Sequence, residues 1–356
     1  MTKKICFKKI ISIALIGALF AALICWPGMV DSHGMETGKS LNPFADVAYG
    51  GEVSTKEVST KGVATKEVAL NEGALKTETQ ALSSSPAAMP ETIECKASGV
   101  FEKRTADAVI DYSNTADGYV MVKYLKKTSK KLKAQVKGPA TTYTYNLKAK
   151  KWTVLPLSDG NGSYQVTVFQ NTTGSKYASK ASVAFQLELK NEFAPFLRPN
   201  QYVDFADAVN TVAKAKSLCK KAKTELAKVE KIYNYVVKNI TYDKKKAKSV
   251  KSGYLPDLDA VLKSKKGICF DYAAVMAGML RSQGVPTKLV VGYAGEAYHA
   301  WISIYIAGEG WIDGVIYFDG KSWQRMDPTF ASSAGKSKSI MKYIGDGSNY
   351  TAKYFY

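Results

Sequence analysis

Three residues of this 356-residue chain have types and an order that could do nucleophilic chemistry: Cys269, His299 and Asp327. Cys269 sits in Lys265-Lys266-Gly267-Ile268-Cys269-Phe270-Asp271-Tyr272-Ala273-Ala274, where glycine marks a turn and the small and apolar residues behind it mark a tightly packed helix. A thiol at or near a helix N-terminus meets unpaired backbone N–H groups and the positive end of the helix dipole, and both favour the thiolate. The dipole alone is worth about 0.3 to 1 kcal/mol, so a thiol with a pKa of about 8.5 stays mostly protonated at neutral pH without a partner. An imidazolium would stabilise the thiolate more strongly and could later protonate a leaving amine.

Histidine is scarce enough to name that partner. The chain has two, and His33 falls in a leader or linker, which leaves His299. It heads Ala300-Trp301-Ile302-Ser303-Ile304-Tyr305-Ile306, a β-rich run. Ser322-Trp323-Gln324-Arg325-Met326-Asp327 is a second strand-like run, stopped by Pro328, and a carboxylate at the end of a neighbouring strand could hold the far imidazole nitrogen in one tautomer. Tyr298 and Trp301 flank the histidine and could shield an ion pair from water or pack the sheet. The Cys269 N–H is a plausible oxyanion donor. Each residue also has a plainer reading: a buried small thiol, a structural histidine, an aspartate capping a turn.

Several elements must position these residues. Apolar residues at Leu226, Val229, Ile232, Tyr233, Val236 and Val237 recur at helical period with lysines on the opposite face, and the segment ends at Asn239-Ile240-Thr241-Tyr242-Asp243. The basic stretch 244–251 reads as a surface loop, and Leu258-Asp259-Ala260-Val261-Leu262 as a short helical turn. Between about 95 and 190 short alternating segments at 108–112, 119–124, 143–147, 163–169 and 182–189 are separated by turn signals such as Asp159-Gly160-Asn161-Gly162, the pattern of a β-sandwich. It carries no catalytic-looking constellation and reads as a spacer or recognition module. From Glu52 to Asn71 a decaying pentapeptide repeat, rich in Ser, Thr, Lys and Glu, reads as a flexible spacer. At the start, Lys3, Lys4, Lys8 and Lys9 precede an uncharged apolar run over 10–26, the form of an export signal; a cleaved signal and a retained anchor both fit. Cys25 follows a poor version of a lipobox.

The motifs Gly267-x-Cys269-x-Asp271-Tyr272-Ala273, His299-Ala300-Trp301 and Asp327-Pro328-Thr329, in that order, resemble the transglutaminase-like superfamily, over about 218–333 and with Ile240-Thr241-Tyr242-Asp243 upstream. The resemblance implies an α+β, papain-like core, a cysteine-bearing helix packed on an antiparallel sheet, preceded here by the all-β sandwich. It also implies Cys269 as nucleophile, His299 as general base and acid, and Asp327 as orienter. The departure from the family pattern is at 308–321, a long Gly- and Tyr-containing excursion in place of a tight hairpin.

The expected organisation is therefore a signal or anchor over 1–30, a linker over 31–92, the sandwich over 93–192 and the transglutaminase-like domain over 193–356. The expected activity is acyl transfer from peptide or protein amides, resolved by water (peptidase or amidase) or by an amine (transglutaminase), at the cell surface or outside the cell. The competing reading is a silent surface protein that holds anionic wall polymer; its support is the tether and the net charge of +19, which attracts polyanions, including an anionic membrane surface. Nucleic acid is not an expected partner, because the lysines are scattered and match no recognition motif. No cofactor or metal is expected. The cysteine spacing fits no zinc site, there is no acidic calcium loop, no phosphate loop and no dinucleotide fingerprint, and the three thiols beyond the leader cannot all pair.

Overall fold

The computed structural model describes residues 94–294, 297–313, 316–318, 323–325 and 350–356. The expected export segment, the repeat-bearing spacer, His33 and Asp327 lie outside the described residues.

Strands β1 (Glu102–Arg104), β2 (Ala108–Asp111), β3 (Tyr119–Tyr124), β4 (Leu132–Lys137), β5 (Thr142–Leu147), β6 (Trp152–Pro156), β7 (Gly162–Thr173) and β8 (Lys176–Leu187) come first. They form two four-stranded antiparallel sheets, ordered β1-β2-β3-β6 and β5-β4-β7-β8. Alternation explains the sheet core: in β4, Leu132, Ala134 and Val136 are buried while Lys133, Gln135 and Lys137 turn outward. Sequence patterning finds β2, β3, β5, β7 and β8 and misses β1, β4 and β6, whose inward sets are short or interleaved with lysine.

Helices follow: α1 (Val209–Cys219), α2 (Glu225–Asn239), α3 (Lys244–Ser249), α4 (Leu258–Ser264) and α5 (Cys269–Ser282), with the short strands β9 (Thr241–Tyr242) and β10 (Lys266–Gly267) between them. Thr224 caps α2 by accepting the Ala227 N–H, and the helix buries Val229, Ile232, Tyr233 and Val236, the stripe its period predicts. The stretch expected to be a loop at 244–251 is instead mostly α3, because the Asp243 carboxylate accepts the Lys246 N–H and nucleates the turn. Helix α5 is buried from Cys269 to Arg281, as an Ala-rich helix apolar on nearly every side must be; α1, α2 and α4 pack around it, and β11 (Thr287–Ala294) and β12 (Ala297–Ile306) lie against it. Gly278 admits Leu258, whose Cδ1 would lie 2.7 Å from an added Cβ.

The third four-stranded sheet is antiparallel and ordered β13-β12-β11-β16, with β13 at Gly310–Asp313 and β16 at Tyr350–Phe355. The excursion expected at 308–321 resolves in part into a hairpin: Gly308 and Gly310, both at positive φ, turn β12 back into β13, and β14 (Ile316–Phe318) then opens a separate pair with β15 (Trp323–Arg325). The α+β architecture and the preceding β-rich region thus match the expectation.

The two regions share one continuous core. Tyr356 packs on Tyr143 and Tyr145 of β5 and on Tyr202, with ring centroids 5.6, 6.0 and 4.3 Å away. Fully buried Arg281 donates to the backbone oxygens of Thr287 (2.9 Å), Arg198 (2.7 Å) and Tyr356 (2.5 Å), joining three segments at one guanidinium.

Candidate active site

The chain reaches Cys269 through a left-handed residue. Lys265, φ 55°, ends α4 and turns the backbone into β10, which pairs in parallel with β9: Thr241 N–H donates to Lys265 O (2.9 Å) and Asp243 N–H to Gly267 O (2.8 Å). The Tyr272 hydroxyl then donates to Ile240 O (2.7 Å). These bonds explain why Ile240-Thr241-Tyr242-Asp243 belongs to the same constellation as the cysteine motif.

Cys269 is the first residue of α5 and 7% exposed. The first turn closes with Tyr272 N–H on Ile268 O (3.1 Å), so helix geometry leaves the Cys269 N–H among the donors without an intrahelical acceptor. Asp271 folds back to accept the Ile268 N–H (2.8 Å), a carboxylate cap at the positive end of the helix. Gly267 makes room for that return, since a Cβ there would lie 2.7 Å from the Asp271 Cβ. The Gly267-x-Cys269-x-Asp271 spacing is therefore a packing requirement as well as a motif.

The Asp271 carboxylate, with no solvent exposure, needs a counter-charge. Lys246 supplies it: its ammonium donates to Asp271 Oδ2 (2.6 Å) and to the Tyr254 hydroxyl (2.6 Å), and Tyr254 donates in turn to Asp271 Oδ1 (2.6 Å). Burial, and next the Asp271 charge, push the Tyr254 phenol well above the ordinary tyrosine range. Sequence reading missed this trio. Asp271 was visible inside the cysteine motif without a role, and Lys246 looked like one more surface lysine.

His299 is the third residue of β12, opposite Gly292 of β11, and 6% exposed. Alternation puts it on the face of the sheet it shares with Trp301, whereas Ala300, Ile302 and Ile304 turn into the core cluster that α5 fills. The Trp301 ring lies 6.1 Å from the imidazole at 19°, and Tyr350 stands edge-on to both. Trp301 both packs the sheet, against Gly292, and covers one face of the imidazole. Gly292 admits no side chain, because an added Cβ would collide with Thr351 O.

Phe270 and Tyr298, the chain neighbours of the two candidates, line one cleft together with Asn146, Gln201, Tyr202, Tyr254 and others. Neither Cys269 nor His299 is itself among the lining residues, and alternation along β12 turns His299 to the sheet face opposite Tyr298. β15, which leads toward Asp327, pairs with β14 rather than β12, so the strand before Asp327 is not the ladder neighbour of the histidine strand among the described residues. Cys95, Cys219 and Cys269 are all free thiols. Burial pushes Cys95 up to about 11 and raises Cys219, which leaves both protonated at neutral pH. Among the described residues no group of His, Cys, Asp and Glu could hold a metal ion.

No curated protein matches the chain. Among solved structures it is similar to a candidate cysteine protease from Cytophaga hutchinsonii, at 15% identity over 65% of this chain and 69% of that one, with a TM-score of 0.31. A candidate protease from Parabacteroides distasonis is 18% identical over 52% of this chain and 38% of its own, TM-score 0.28. Red sea bream transglutaminase is 14% identical over 67% and 53%, TM-score 0.26. The model of the transglutaminase-like superfamily matches residues 212–328, the stretch from α1 through the cysteine helix and the histidine strand to the Asp327-Pro328 motif. That stretch is a transglutaminase-like domain.

Proposed function

We propose that the chain is an exported, cysteine-dependent acyl-transfer enzyme acting on peptide or protein amides, with Cys269 as nucleophile, His299 as general base and acid, and Asp327 as its orienter. The observation that carries this reading is the position of Cys269 as the first residue of a buried, carboxylate-capped helix that packs on the strand bearing His299.

The Cys269 thiolate adds to the amide carbonyl carbon, and the negative charge that develops on its oxygen is met by the Cys269 N–H. His299, protonated in the ion pair, gives its proton to the leaving nitrogen as the C–N bond breaks, leaving a thioester. Neutral His299 then takes a proton from water or from an incoming amine, which attacks the thioester carbonyl and restores the thiolate. Water yields hydrolysis; a lysine amine yields a crosslink. Export and a surface location rest on the basic-then-apolar N-terminus. No helix among the described residues is long and apolar enough to cross a membrane.

Alkylation of Cys269, mapped by peptide mass and followed against pH in wild type and His299→Ala, tests the reading. An ion pair gives saturation well below about pH 8 in the wild type and a shift toward ordinary thiol behaviour in the mutant. An ordinary thiol profile untouched by the mutation would overturn the dyad and favour the silent wall-binding protein. Amide substrates with and without added amine then separate hydrolysis from transfer.

A further inference from the structure

Strand topology gathers four loops at one end of the sandwich: 105–107 between β1 and β2, 125–131 between β3 and β4, 148–151 between β5 and β6, and 174–175 between β7 and β8. The registers fix this, since Ala108 pairs with Tyr124, Lys123 with Trp152, and Leu132 with both Leu147 and Gln170. Lys126, Lys127, Lys130 and Lys131 are exposed on the second loop; three of the four residues of the third loop are exposed lysines; Lys176 opens β8. Asp107 is the one acidic residue in these loops, and it is taken by Lys126 (2.5 Å) and Lys180 (3.3 Å).

We infer that this end of the sandwich is a docking surface for a linear, phosphate-bearing polyanion. Like charges held this close repel one another, and a counter-charged partner relieves that repulsion. Lysine ammoniums act as point charges without the planar fork of arginine, which suits a repeating phosphodiester rather than one oriented group. Three features favour a flexible chain over a bilayer or a nucleic acid. The large apolar side chains that stand exposed among the described residues, Val100, Phe101 and Val209, are not in these loops, so nothing here inserts among lipid tails. Two half-buried rings at this end each have a lysine over one face, Lys123 over Trp152 (5.6 Å) and Lys133 over Tyr177 (5.2 Å), which reduces the ring surface on which bases could stack. The surface is also stepped, because β7 and β8 run on past the Leu132 level to Thr173 and Lys176, about 10 Å at the rise of a strand. A flat bilayer cannot follow that step; a polymer can. The inference does not depend on the chemistry at Cys269.

Binding of long-chain inorganic polyphosphate to the full chain tests it, with two charge-matched variants: Lys126, Lys127, Lys130 and Lys131 all changed to Gln, and Lys216, Lys220, Lys221 and Lys223 all changed to Gln. Circular dichroism confirms that both fold. The loop variant is expected to lose affinity by about tenfold or more, with the wild-type interaction weakening steeply with salt, while the helix variant changes little. Equal losses in the two variants would reduce the effect to net charge and overturn the assignment. Tighter binding to anionic phospholipid vesicles, or to single-stranded DNA at matched phosphate concentration, would overturn the choice of partner.

Discussion

Lysine plays opposite parts at the start of α5 and at the loop end of the sandwich. At the start of α5, half-buried Lys246 donates to a carboxylate with no solvent exposure and to Tyr254, which donates in turn to that carboxylate, a closed ring of three residues. At the loop end of the sandwich, lysines outnumber acidic residues heavily and stand in solvent. The formal charge of +19 counts both alike. Only burial separates a cation that holds a helix start together from one that is free to meet a partner: a desolvated charge requires its counter-charge, and a solvated one does not.

That contrast is sharpest in Asp271→Ala. The substitution strips the Ile268 N–H, the Lys246 ammonium and the Tyr254 hydroxyl of one shared acceptor, and breaking a buried ionic pair of this kind costs about 3 to 5 kcal/mol. Urea unfolding should report the loss, and Cys269 should become more readily alkylated in the folded protein as the helix start frays. Lys246→Met should cost less, about 2 kcal/mol, because the side chain of Lys246 is 26% exposed and the carboxylate keeps two of its three donors. An Asp271→Ala protein that unfolds like the wild type would show that the trio is incidental to α5.

The sequence made much of this legible, and the gaps have physical causes. The stripe on α2, the strand carrying His299 and the helix opening at Cys269 are period and capping signals, which are local. Lys246 finding Asp271 is a contact 25 residues apart, made when Asp243 turns 244–249 into a helix, and no pattern of charge along the chain announces it. Lysine-interleaved β4 hid for a related reason: only every second residue faces the core, and the outward lysines dominate the composition. The contact between the sandwich and the sheet that carries His299 was not legible, because it runs through Tyr143, Tyr145 and Tyr356, tyrosines far apart in sequence. Asp327, named from its motif, lies outside the described residues.

A milder test uses pH. Folding holds the Tyr254 proton more tightly than the unfolded chain does, so the stability this group contributes is complete below its ordinary pKa of about 10 and is lost as pH rises beyond it. Tyr143 and Tyr202, both raised chiefly by burial, add to the same slope. Stability should therefore fall with pH above the ordinary tyrosine range, with phenolate absorbance appearing together with unfolding rather than before it. Tyr254→Phe should cost about 1 kcal/mol at neutral pH and make the alkaline fall shallower. Phenolate absorbance that titrates ahead of unfolding would mean that these hydroxyls reach water in the folded state.

The smallest effect is the most informative about the other end. The side chains of Lys127, Lys130 and Lys131 support no cap and no buried carboxylate among the described residues; the Lys130 ammonium donates to Thr172 O at the surface (3.2 Å). Changing the three to Gln should leave the urea midpoint where it was, or raise it slightly as repulsion among like charges is relieved. A clear loss of stability would mean that the loop lysines are structural, as Lys246 is. The contrast between the two ends would then be one of degree, and charge exposed on those loops would no longer be available to a partner without a cost to the fold.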